Sequence, residues 1–132
     1  MKAKATLLLP LSILLAGMLG GCVTPVAIDT NNDEDQNAYY QAGFFYAPIN
    51  DGNVKSIFRT AIRVMDDMGY YRTGELHREN KITIFARKEG DREVTVRISK
   101  VEEGQSEIRI GIGMFGNLSE SQRLYSRIRE AH

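Results

Sequence analysis

The chain has 132 residues, with 17 Lys and Arg against 17 Asp and Glu, and a single cysteine. Its length suits one small domain. The balanced charge excludes the basic footprint of a nucleic-acid binder, and one cysteine excludes an internal disulfide framework, so the fold must rest on its hydrophobic core.

Lys2 and Lys4 open the chain with positive charge. Leu7 to Leu15 follow as an apolar run broken only by Pro10 and Ser12, and the small residues Gly20 and Gly21 stand before Cys22. These are the three parts of a secretory signal, and the run is shorter than the ~20 apolar residues of a membrane span. The segment Leu19-Gly20-Gly21-Cys22 resembles the bacterial lipobox, in which a signal peptidase cuts before the cysteine and the sulfur carries lipid. That resemblance implies a signal peptide over 1–21, lipid on Cys22 and attachment to the cell envelope. One acyl chain binds marginally, but each buried methylene adds ~0.8 kcal/mol, so two or three chains would make attachment effectively permanent. Val23 occupies the place of the aspartate that retains such proteins in the inner membrane, which points to the outer membrane, facing the periplasm. The alternatives are an uncleaved anchor helix, or a plain secretory signal with an incidental cysteine.

Residues 23–38 show no periodicity and include Asp29, Asp33, Glu34 and Asp35. With Cys22 they read as a lipidated cysteine and flexible acidic tether over 22–38. A coil of ~16 residues spans roughly 22 Å, enough for the domain over 39–132 to stand off a lipid surface.

Tyr39 to Ala47 is rich in aromatics and reads as one strand ended by Pro48, with Asn50 or Asp51 able to cap a helix after it. Val54, Ile57, Phe58, Ala61, Ile62, Met65 and Met68 then recur with helical period, predicting a helix from about Asn53 to Met68 stopped by Gly69. The period next changes from 3.6 to 2. Strands are predicted over Tyr70 to His77, Lys81 to Lys88, Arg92 to Val101 and about Ile108 to Met114, with turns at Glu89-Gly90-Asp91 and Glu103-Gly104. A last helix, about Leu118 to Glu130, buries Leu118, Ser121, Leu124, Tyr125 and Ile128. The order β-α-β-β-β-β-α predicts an α+β domain: an antiparallel β-sheet with two helices packed on one face, helix-grip-like and with little cavity.

Gly111-Ile112-Gly113-Met114-Phe115-Gly116 matches G-x-G-x-x-G between a strand and a helix. It closes an antiparallel meander, and the chain ends before an acidic residue ~20 positions on could occur, so dinucleotide binding is rejected. The glycines instead let the strand bend and Gly116 take a positive φ. Gly113-Met114-Phe115-Gly116-Asn117 with Ser119, Ser121 and Ile128, together with Asp66-Asp67-Met68-Gly69-Tyr70, resembles a family of short bacterial lipoproteins of unknown function. In that family a Gly-x-Phe-Gly-Asp-type turn precedes the final helix; Asn117 replaces the Asp, and either residue can cap. The likeness covers the lipobox and most of 44–130, and it implies a fold and a location but no activity.

Other polar groups have structural readings. His77 and His132 lack the partners of a metal site, no His-Asp companion stands beside the serines, and Asp66 and Asp67 point about 100° apart. Arg63 and Asp67 read as an ordinary i, i+4 pair, and Lys55, Arg59 and Arg63 line one side of the first helix. Arg87, Arg97 and Arg109 share the polar phase of successive strands and are expected to form a row across the open sheet face, with Phe85 beside them. Either basic set could contact anionic partners such as lipid headgroups or acidic glycans; against this for the row, Glu93 and Glu107 share the phase, as on a solvated face. No cofactor, metal or nucleic acid is expected. The leading expectation is a non-catalytic accessory or binding module of the envelope, attached to the membrane through Cys22 and meeting an envelope protein, lipid or glycan through the open sheet face or the Tyr39 to Tyr46 edge region, and not an enzyme. The alternative is a carrier of lipid or another small hydrophobic ligand, with Phe44, Phe58, Met65, Met68 and Met114 lining a groove between sheet and helices.

Overall fold

The computed structural model describes residues 23–26 and 37–132. The expected signal segment 1–21, Cys22 and residues 27–36 of the expected tether lie outside the described residues. Seven strands, β1 (Thr24–Pro25), β2 (Tyr39–Gln41), β3 (Phe44–Ile49), β4 (Tyr71–Arg78), β5 (Lys81–Lys88), β6 (Arg92–Glu102) and β7 (Gln105–Ile112), form one sheet in the order β1-β2-β3-β7-β6-β5-β4. Every pairing is antiparallel. Helices α1 (Val54–Asp67) and α2 (Leu118–Ala131) complete the α+β fold.

The register aligns the apolar phase of each strand. Phe45, Ile110, Val96 and Ile84 are successive cross-strand partners, as are Ala47, Ile108, Ile98 and Ile82. All eight are buried, and Ile57, Ala61 and Met65 of α1 with Leu124, Tyr125 and Ile128 of α2 join them in one core. Each fully buried Ile, Leu, Val, Phe or Met among them contributes about 1.5–3 kcal/mol. The Phe45 and Tyr125 rings meet edge to face at 5.6 Å, and the Tyr125 hydroxyl donates to the Pro48 carbonyl, pinning α2 to β3.

The expected first strand is instead a hairpin. Ala42 and Gly43 both take positive φ (52° and 82°), the pair that a two-residue turn needs to match the twist of its strands. Ala42 in the first of those positions hid the turn. Pro48 does not end β3, because β2 stops short of it and leaves an edge position, where a missing N–H costs no ladder bond. The cap of α1 is Asn53, whose Oδ1 accepts from Ser56 N at 3.2 Å; Asp51 Oδ1 accepts from Asn53 N at 2.7 Å and shapes the approach. Nor do residues 23–26 belong to a free tether: Thr24 pairs with Tyr40, Pro25 with Tyr39, and Val26 N donates to Ala38 O at 3.1 Å. Arg63 turns back to the Arg59 carbonyl (3.4 Å), while Asp66 rather than Asp67 carries the ion pair, with Arg72 at 2.8 Å.

Two adjacent residues of β7 test this arrangement. Ile110 is fully buried and Arg109 faces away from the helices. Ile110→Asp places an unpaired carboxylate in the core and is expected to unfold the domain. Arg109→Asp puts an acid opposite Arg97 and leaves it folded. Thermal melts of the two variants that coincide would refute the assigned faces.

Candidate functional site

The face of the sheet away from the helices is built by the same register with opposite phase. Tyr39, Tyr46, Arg109, Arg97 and Thr83 lie side by side across β2, β3, β7, β6 and β5. Tyr39 and Tyr46 stack with centroids 4.5 Å apart and planes 8° from parallel. Beside them, the Arg109 guanidinium lies 4.3 Å from the centroid of the Phe44 ring. Gly111 makes room for that ring: a β-carbon there would come within 2.5 Å of it. Arg109 Nε is buried without an acceptor.

Arg97 and Arg109 are therefore brought together, facing each other directly across β6 and β7. Arg87 is not in their row. The partner of Arg97 on β5 is Thr83, and Arg87 lies four residues further along that strand, opposite Glu93. It is held there by Asp91 at 3.1 Å and Glu93 at 3.6 Å, because the turn after β5 brings both acids beside it. Phe85 is exposed on the shared face, as expected. Glu107 neighbours the arginine pair but sits against Tyr39, whose hydroxyl is pushed up by burial first and then by the Glu107 charge.

A second basic surface lies at one end of the sheet. Lys55, His77, Arg78, Lys81 and Lys100 line a cavity of about 420 Å³ beside the start of α1, with Glu103 the single acid in its wall among the described residues. Lys100 is paired with Glu103 at 2.8 Å. The two histidines stay apart: His77 meets Glu75 (3.0 Å) and the edge of Phe58, whereas His132 joins Asp51 (2.7 Å) and Thr60.

Sequence reasoning missed the most enclosed ionic cluster among the described residues. Glu120, in the first turn of α2, is bonded by Lys88 Nζ, by Arg92 Nη1 at 2.9 Å and by the Tyr70 hydroxyl at 3.3 Å. Lys88 also stands 4.7 Å over the Tyr70 ring. The partners come from far along the chain, so no local spacing marks them. Burial opposes ionisation of Glu120, but the Lys88 and Arg92 hydrogen bonds outweigh it and hold the carboxyl below its ordinary range; Tyr70 is raised by burial and by the Glu120 charge. One carboxylate draws in two cations, which makes the cluster a clamp between α2 and the β5–β6 hairpin. The groove residues proposed from sequence do not converge. Met65 is in the core, Phe58 and Met68 are half-buried, Phe44 is on the opposite face, and Met114 is exposed beyond β7.

The sequence profile of a family described as "Protein of unknown function (DUF3568)" matches residues 4–131, and the chain belongs to that family. No curated protein matches it.

These charges set two measurable expectations. A carboxyl with a lowered folded pKa stabilises above its unfolded value, ~4.3 for Glu, and that stability disappears as pH falls through the folded value. Glu120→Gln should cost about 1–3 kcal/mol at pH 7 and approach the parent stability as the pH drops below about 4; a gap constant from pH 7 to 3 would refute the clamp. Asp51 and Asp66, also lowered, leave a residual acid slope in the variant. Like charges directly opposed across strands oppose folding, so Arg97→Gln should raise stability by roughly 0.2–1 kcal/mol at low salt and by less at high salt. A salt-independent loss of stability would show that the two arginines do not repel.

Proposed function

We propose that this member of the DUF3568 family is a bacterial envelope lipoprotein, anchored through acyl chains on Cys22 to the periplasmic side of the outer membrane and acting as a non-catalytic binding module. The anchoring rests on Leu19-Gly20-Gly21-Cys22 behind a charged and apolar leader. The observation that carries the binding role is the Arg97–Arg109 pair on the open face, where two arginines are direct cross-strand partners with no ion pair among the described residues. An anionic group on a partner would relieve their repulsion through charge-assisted hydrogen bonds. Phe44 supports one guanidinium from below, and the stacked Tyr39 and Tyr46 give a flat wall beside it. The partner is therefore an acidic one, a carboxylate- or phosphate-bearing component of the envelope, held at an aromatic-walled surface rather than in a deep pocket.

The test combines location with contact. In cells, the parent chain should fractionate with membranes and its mature N-terminus should carry acyl mass, while Cys22→Ser should be released still folded. A photocrosslinking residue replacing Phe85 should give an adduct that disappears in Arg97→Gln/Arg109→Gln. Membrane retention of Cys22→Ser would end the lipidation reading, and an adduct indifferent to both arginines would end the role of the open face.

A further inference from the structure

We infer that Met114 and Phe115 form an apolar wedge that enters the lipid bilayer beside the Cys22 anchor and sets the domain upright on the membrane. The inference rests on the lipidation of Cys22 proposed above, and adds a second point of attachment to it.

The argument begins with strand direction. β1 is antiparallel to β2, and β2 runs into the Ala42-Gly43 turn. Followed backwards from Thr24, the chain therefore heads toward that turn. Cys22 is two residues away, no more than roughly 7 Å along an extended chain. The anchor thus belongs at the Ala42-Gly43 end of the sheet. The β7–α2 connection is at the same end and touches the turn: a β-carbon on Gly43 would lie 3.1 Å from Phe115 O, and one on Gly116 would lie 2.3 Å from Gly43 O.

That connection carries the two most exposed large apolar side chains among the described residues, Met114 at 91% and Phe115 at 87%. The third, Tyr71 at 73%, opens β4, and its pairing with Arg87 places it at the same end. The loop is held from both sides. Gly113 N donates to Glu93 O at 2.8 Å, and Gly116 is locked against Gly43 and the Tyr40 hydroxyl. Met114 and Phe115 are thereby projected from a fixed support. β7 is three strands from β1, roughly 14 Å at ordinary strand spacing, so wedge and anchor would be separate footholds that fix the tilt of the sheet.

Charge near this end is largely answered within the molecule, by Arg72–Asp66, Arg87–Asp91 and the Lys88–Glu120–Arg92 cluster. Attraction to the bilayer is then apolar and needs no anionic lipid. The basic cavity lies at the opposite end, where the turns after β4 and β6 meet the start of α1, and points away from the membrane.

The chain has no tryptophan, so one indole reports without background. Phe115→Trp, purified with its lipid and reconstituted in phosphatidylcholine vesicles, should emit blue-shifted and be quenched by bromine-labelled acyl chains. Val101→Trp, at the other end of the sheet, should do neither. Replacing both Met114 and Phe115 by Ser in a Cys22→Ser chain should weaken its partition into the same vesicles on the order of tenfold. A second arm couples the unlipidated chain through its single thiol to maleimide-headgroup lipid, so the wedge is tested even if cells do not lipidate Cys22. An unquenched, water-exposed indole at position 115 on vesicle-bound protein would overturn the wedge while leaving the anchor intact. Absence of acyl mass on protein from cells would overturn the anchor instead. Burial of the indole in native membranes but not in protein-free vesicles would assign the two side chains to a protein partner and likewise overturn the wedge.

Discussion

The position of β7 between β3 and β6 is the constraint on which both faces of this molecule depend. Phe45, Ile110, Val96 and Ile84 share one row, and the neighbouring row on the other face is Tyr46, Arg109, Arg97 and Thr83. Side chains alternate with a period of two, so a slip of one residue would turn Arg109 into the core and Ile110 into water. The energy that fixes the core therefore also fixes how the arginines meet. Their opposition is not a local preference of β6 or β7; packing against the helices imposes it.

That imposed repulsion is tolerable because the aromatic side chains around it are themselves placed by backbone constraints. Phe44 lies flat only because Gly111 has no β-carbon. Tyr39 reaches Tyr46 only because Ala42 and Gly43 accept positive φ and fold the segment into a hairpin. A guanidinium over an aromatic face gains about 0.5–1 kcal/mol at an exposed site, comparable to the cost of facing a like charge across strands. The two effects nearly cancel, so the face can hold unneutralised positive charge without loss of the fold.

The sequence made the periodic elements legible because their signals are local. The stripe from Val54 to Met65, the alternation of Ile82, Ile84 and Ala86, and the glycine after α1 each reveal an element within one or two turns of chain. What it concealed was non-local or negative. Glu120 finds Lys88 and Arg92 only after the β5–β6 hairpin meets α2. Thr24 and Pro25 resemble a linker in composition, yet become an edge strand because the hairpin exposes an unpaired rim. Arg87 shares a face with Arg97 and Arg109, as the alternation requires, but residue phase does not specify position along the strand; register does, and it separates them.

The three glycines of Gly111-Ile112-Gly113-Met114-Phe115-Gly116 show how one motif can mislead as chemistry and still carry information. Each serves a different contact: Gly111 admits the Phe44 ring, Gly113 bends toward Glu93, and Gly116 packs against the Ala42-Gly43 turn. Together they force Met114 and Phe115 outward, although a globular protein ordinarily turns such side chains inward. Gly116 could not carry a side chain without pushing that turn away, so the exposure of its apolar neighbours is built into the backbone. An exposed apolar pair on a braced loop, at the end of the sheet toward which the chain from Cys22 leads, has a physical use at a lipid surface and a solubility cost elsewhere.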